Sequence, residues 1–177
     1  MARSRPSLSL IEGALLLSLL ALILAVFVPT FLRRIRTNKI SEAAELLGEM
    51  SRRAQVYYDA TWPAQQRHCL PPAAGPAPTT PTEEPHAVDF FSPKTAGHQT
   101  WEAIGFQPDR PTRFSYRYTP SRDGCALPGS EDEVSVVFRA DGDLDGDGVR
   151  SVFERRAVVG RDGFSPADAL LVHQRTE

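Results

Sequence analysis

Asp143, Asp145 and Asp147 alternate along the stretch DLDGDGVRSVFE, which closes on Glu154. The run fits the pattern D-x-D-x-D-G-x5-E without a gap, and the chemistry it offers is capture of a hard divalent cation, Ca2+ above all. Three carboxylates at alternate positions can converge on one ion, and the glycine among them permits a sharp turn. The backbone carbonyl of Val149 adds an oxygen, Ser151 reaches the ion directly or through water, and Glu154 can bind with both carboxylate oxygens. Asp141 can stand in for one of these ligands. Strand-like sequence flanks the run, and Arg150 fills a position that EF-hands keep aliphatic, so the expectation is a calcium loop between two strands. Asp-Gly repeats also make ordinary solvated turns, and that reading stands beside the metal.

Glu12 is the second residue with chemistry to offer. It opens an apolar run, Gly13 to Leu32, that carries no charge. A carboxylate in lipid costs about 2.5 kcal/mol or more at mid-bilayer. Either Glu12 stays at headgroup level, or it meets a cation when helices pack. A neighbour's free α-amine would serve, if processing creates one just before Glu12.

Cys69 and Cys125 are the only cysteines and belong to no CxxC pair. Structural zinc wants four N or S ligands, so one disulfide is the expectation if the chain beyond the apolar run lies outside the cytoplasm. It would close a loop of about 55 residues, worth on the order of 3–4 kcal/mol by loop-closure entropy. Two unpaired buried thiols are the alternative. His68, His86, His98 and His173 are scattered, with no pair at metal-ligand spacing, and there is no Gly-x-Ser-x-Gly or phosphate-cradling loop. No enzyme is expected, and a net charge of -2 with pI ≈ 6.1 makes no case for nucleic acid as the main partner.

The elements that position these residues are of two kinds, and the mean hydropathy of -0.28 averages them. The apolar run is long enough to cross about 30 Å of hydrocarbon as a helix. A cleaved secretory signal fits it poorly, because no small-x-small site ends it and helical sequence continues. Beyond it, Ile40, Ala43, Leu47, Met50, Ala54 and Tyr57 recur at spacings of three and four, with charged residues between them. That is an amphipathic helix. One helix ending near Tyr58-Asp59 and running to about 75 Å is therefore expected, its distal half lying against the chain's own head. Residues 71–85, PPAAGPAPTTPTEEP, read as an extended surface loop, with O-glycosylation a guess. Strands are expected at Arg113–Tyr118, with Phe114, Tyr116 and Tyr118 on one face, at Val134–Arg139 and at Val152–Val159, separated by Asp, Gly and Pro turns.

Ser9-Leu10-Ile11-Glu12, the aliphatic run, and Val28-Pro29-Thr30-Phe31-Leu32 resemble the N-terminal helix of type IV pilins and pseudopilins. The string Trp101-Glu102-Ala103-Ile104-Gly105-Phe106-Gln107-Pro108 is similar to a segment of some pilin heads, notably those of deltaproteobacteria. Its physical role would be a short helical turn that buries Trp101, Ile104 and Phe106. The resemblance implies removal of a short basic leader by a prepilin peptidase between Ser7 and Leu8. Leu8 would become a methylated N-terminus and Glu12 would neutralise a neighbour's amine during assembly. Pro29 stands at the helix-distorting position. Ser7 departs from the family, which places glycine before the cut.

The expected organisation is then a leader at 1–7, a helix at 8–59 with its transmembrane half at about 10–32, and an extracytoplasmic β-rich head at 60–177. The fold class is α+β: a long helix packed on a small antiparallel sheet. Arg33, Arg34, Arg36 and Lys39 outnumber Arg3 and Arg5, so the positive-inside rule alone would face the head to the cytoplasm. Pilins override it through their assembly route. The implied function is a major or minor subunit of a type IV pilus or a secretion pseudopilus, systems that serve motility, adhesion or secretion. Its partners would be copies of itself or other pilins, the peptidase, the inner-membrane assembly platform and the membrane. A non-assembling bitopic calcium-binding or adhesive surface protein is the alternative, and a membrane-tethered enzyme the third reading.

Overall fold

A computed structural model describes residues 10–60, 68–125, 133–144, 146 and 148–173, with the backbone alone for 29–39. The class is α+β. Helix α1 spans Leu10–Asp59, and its helical backbone passes through Pro29 without interruption. It is followed by β1 (Ala74–Ala77), α2 (His98–Ile104), β2 (Ser115–Pro120), β3 (Val134–Gly142), β4 (Ser151–Gly160) and β5 (Gly163–His173). Contacts divide the chain into Met1–Ile40 and Ser41–Glu177, so the distal part of α1 belongs with the sheet rather than with the apolar run.

Within the second unit the five strands lie in sequence order, each antiparallel to the next. Short connections join β3 to β4 and β4 to β5, which favours pairing of neighbours in sequence, whereas β1 reaches β2 only after a long segment that contains α2. Val134, Val136, Phe138 and Ala140 are buried on β3, and Phe153, Ala157 and Val159 on β4, as the period of two requires. From α1 come Ala43, Leu46, Leu47, Met50, Ala54 and Tyr58, a stripe at helical spacing. Tyr58, rather than the expected Tyr57, completes it, its ring 6.0 Å from Phe164 of β5.

The Trp101 segment buries Trp101, Ile104 and Phe106, as its spacing suggests. Phe90 meets Trp101 and Phe106 edge-on, with centroids at 5.5 Å in both cases. Trp101 donates its indole N–H to the Ala96 carbonyl at 2.9 Å, so the buried ring leaves no polar atom unpaired. Phe114, Tyr116 and Tyr118 share the core face, although Phe114 precedes the strand.

Two strands lie where none was expected. β1 falls inside the Pro-rich segment, where Ala74 and Ala77 are buried and pair with Tyr118 and Tyr116. Methyl groups suffice there because aromatic rings from β2 and α2 fill the space. Pro76 is tolerated because β1 is an edge strand that needs no second ladder. β5 escapes pattern reading because residues 165–169 are exposed on both faces and lack alternation.

Candidate functional site

The apolar rod comes first. Leu10–Val28 has a mean hydropathy of 2.6 with 0% of it buried inside the structure, so by length and composition it can cross a membrane. Leu and Ala, neither branched at Cβ, dominate it, which favours helix even without packing. Its hydroxyl is satisfied internally, since Ser18 donates to the Ala14 carbonyl at 2.8 Å. That bond lets a polar side chain sit among hydrocarbon at little cost. Glu12 is exposed in the first turn of α1, where the positive end of the helix dipole favours a carboxylate. Ser7 and Leu8 lie outside the described residues, and Pro29 is described by its backbone alone.

The acidic loop is the second feature. β3 ends at Gly142, which pairs with Ser151 at the start of β4, so residues 143–150 form the connection between two strands. Gly142 admits no side chain, since a Cβ there would lie 2.4 Å from the Phe114 ring. Leu144 is buried and anchors the loop to the core. The Asp143 carboxylate accepts the Gly146 N–H at 2.8 Å and the Gly148 N–H at 3.2 Å. Gly146 and Gly148 have φ of 79° and 87°, a conformation glycine adopts without strain. The chain thus curls around one carboxylate. Asp145 and Asp147 lie outside the described residues.

No protein family, curated protein or solved structure matches this chain.

Not every expected ligand stands at the loop. Glu154 pairs in register with Arg139, three rungs of ladder from Gly142–Ser151 and therefore about 10 Å along the strand. Its carboxylate lies 3.7 Å from Arg139 and 3.3 Å from Arg156. In an EF-hand a helix would carry the twelfth residue back to the ion; an extended strand carries it away. Asp141 is likewise engaged: Arg139 donates to it from Nε at 2.9 and 3.1 Å and from Nη2 at 2.6 Å. That bond, more than any other effect, raises the Arg139 pKa. Ser151 is buried beside the loop and Val149 is exposed on it.

One carboxylate that sequence reasoning missed does approach. Glu83, from the Pro-rich segment, places Oε2 3.3 Å from where a Cβ on Gly146 would be. The pairing of His86 with Thr112, together with the Thr82 N–H donated to the Arg113 carbonyl at 3.1 Å, ties that segment down. Among the described residues no group of three or more His, Cys, Asp and Glu is arranged to hold a metal.

Cys69 and Cys125 are disulfide-bonded. Beside them Leu70 and Gly124 exchange two backbone hydrogen bonds, at 3.0 and 2.8 Å, so the chain leaving α1 is tied to the β2–β3 connection. His68 donates from Nδ1 to the Tyr58 carbonyl at 2.8 Å and stacks on the Tyr58 ring, which satisfies one carbonyl of the last helical turn.

Proposed function

We propose that this chain is a structural subunit of a type IV pilus or related pseudopilus, anchored first in the inner membrane with its head outside and later packed into a filament. The observation that carries this is the dual role of one uninterrupted helix. Leu10–Val28 presents apolar side chains on every side, while Ser41–Asp59 forms a wall of the head's core. A simple anchor needs only about 20 apolar residues and a linker. A helix whose far end is built into the folded head instead ties each head directly to the segment that a bundle of copies would share. Glu12 would meet a cationic group of a neighbour as helices gather, because a carboxylate in lipid is costly. A prepilin peptidase and an assembly platform would act on the N-terminal segment. Ca2+ would be held by the 143–148 loop, with Asp143 as its organised carboxylate and Glu83 beside it. Its chemistry there is neutralisation of a crowded acidic turn.

A non-assembling, membrane-anchored surface protein is the second reading, favoured by Ser7 at the expected cleavage position. Two measurements separate them. Imaging of cells with and without the chain should show filaments lost or shortened in its absence. Mass spectrometry should find a mature N-terminus at Leu8. Unchanged filaments together with an intact Met1 would overturn the filament function.

A further inference from the structure

The β4–β5 turn leaves a trough on the face of the sheet turned away from the core. Gly160 pairs with Gly163, and Val158 with Ser165. Val159 and its partner Phe164 are buried, so residues 158, 160, 163 and 165 share the opposite face. Facing glycines bring no side chains, and with Val158, Ser165, Glu133, Arg161 and Asp162 they line a cavity of about 400 Å³. The turn explains Gly163, whose φ is 92°. It does not explain Gly160, where a Cβ would meet only Glu133 Cγ, at 3.9 Å. Glycine weakens a strand, and without a steric need for it often marks close approach of another group.

The other edge of the sheet carries a counterpart. Phe91 is the one exposed Phe, Tyr or Trp among the described residues of the Ser41–Glu177 unit. Its neighbour Phe90 is buried against Trp101, Phe106 and Tyr116 of β2. Phe91 donates its N–H to Asp89 Oδ1 at 3.0 Å, and the Thr95 hydroxyl donates to the Asp89 carbonyl at 2.7 Å. The Thr95 N–H donates to the Ser92 carbonyl at 2.8 Å. The turn that displays Phe91 and the exposed Lys94 is therefore organised before anything binds, which lowers the cost of binding.

We infer that Phe91 of one copy seats in the Gly160–Gly163 trough of the next, with Lys94 against Glu133 and Asp162 and with Asp89 near Arg161. The inference rests on the filament function proposed above and names the surfaces through which heads meet. Both surfaces belong to the Ser41–Glu177 unit and lie toward opposite edges of its sheet, so each needs a second copy. An aromatic ring laid over strand glycines covers backbone that their missing side chains leave bare. Lys94, Glu133, Arg161 and Asp162 are exposed and form no ion pair among the described residues. The trough offers two carboxylates and one guanidinium, and the Phe91 turn one ammonium and one carboxylate. Such complementary charges set orientation and choice of partner. Because the two surfaces differ, a copy whose ring is seated keeps its own trough open for another. Contacts of this kind run head to tail and extend from copy to copy.

Cross-linking of the full chain in sheared filaments tests this. Ala96 and Ser165 are exposed, one in the Phe91 turn and one in the trough, so Ala96→Cys with Ser165→Cys puts a thiol beside each surface. A short bis-maleimide joins free thiols and spares the disulfide-bonded Cys69 and Cys125. The double variant should give a ladder of dimers, trimers and longer products. The two single variants should give none when expressed apart and dimers only when expressed together. Adding Phe91→Ala or Lys94→Glu to the double variant should weaken the ladder about tenfold, and Glu133→Lys with Asp162→Lys should restore it to the Lys94→Glu chain. Filaments without a ladder, or a ladder indifferent to Phe91 and Lys94, would overturn the contact and leave the filament function standing. Dimers from one single variant alone would overturn it too, because like surfaces would then meet. If the parent chain makes no filament, the proposed function falls and this contact falls with it.

Discussion

Glu42 on α1 accepts the Thr112 hydroxyl at 2.8 Å, a bond that joins the helix to the approach to β2 across 70 residues of chain. The same carboxylate oxygen accepts the Arg113 N–H at 3.2 Å, and the Arg113 guanidinium lies 3.8 Å from its partner oxygen. Thr112 is buried, and its Oγ1 is also 3.3 Å from the Tyr116 hydroxyl. One carboxylate thus ties helix, loop and core together.

Replacing Glu42 by alanine should destabilise the head by about 1–3 kcal/mol, because a buried hydroxyl and a backbone N–H lose their acceptor. Glu42→Gln keeps an acceptor oxygen and should lose less. Urea unfolding of the full chain in detergent, followed by tryptophan fluorescence, measures both. Equal losses would mean that the charge, rather than the hydrogen bonds, matters.

Burial raises the pKa of Tyr116 and Tyr118 well above the ordinary phenol range. Both stay protonated in the folded head while the unfolded chain ionises near pH 10. Their stabilising contribution is complete below that pH and falls above it, by about 1.4 kcal/mol per pH unit for each tyrosine. A melting curve taken from pH 8 to 11 should therefore drop steeply above 10, and the double variant Tyr116→Phe/Tyr118→Phe should flatten the drop.

The Tyr118 hydroxyl is buried without a hydrogen-bond partner among the described residues. Tyr118→Phe alone should then be neutral or stabilising at pH 7, by up to about 1 kcal/mol, since it removes an unpaired polar atom. Tyr116→Phe, which loses a bond to Thr112, should not stabilise. Thermal denaturation of the two variants side by side decides the matter.

Removing the disulfide with Cys69→Ser/Cys125→Ser should lower stability by about 3–4 kcal/mol. The same loss should follow reduction of the parent chain, and a reduced parent as stable as the oxidised one would contradict it.

Ca2+ titration of the full chain in detergent should show weak binding, about 0.1–1 mM. Asp143→Asn should abolish it and Glu83→Gln should weaken it several-fold. Glu154→Gln should leave it unchanged, because its carboxylate is held by Arg139 and Arg156. Calorimetry on the three variants reads this directly. Weakening by Glu154→Gln alone would restore the EF-hand arrangement of ligands.

The long helix was legible in sequence because its causes are local. An uncharged aliphatic run and a stripe at three-and-four spacing need no distant partner to declare themselves, and α1 ends at Asp59 near where the stripe runs out. β3 and β4 were legible for the same reason, through alternation and flanking turns, and the Cys69–Cys125 pair because there was no other pairing to choose. What tertiary structure alone decided depends on registers that no local pattern encodes. Ala74 and Ala77 became strand residues because they pair with Tyr118 and Tyr116, partners that lie about 40 residues away. Glu154 left the acidic loop because antiparallel pairing set it opposite Arg139, and Glu83 approached because a Pro-rich segment was pinned at His86. Spacing along a chain names which carboxylates are available; only the path of the backbone between them decides which ones meet.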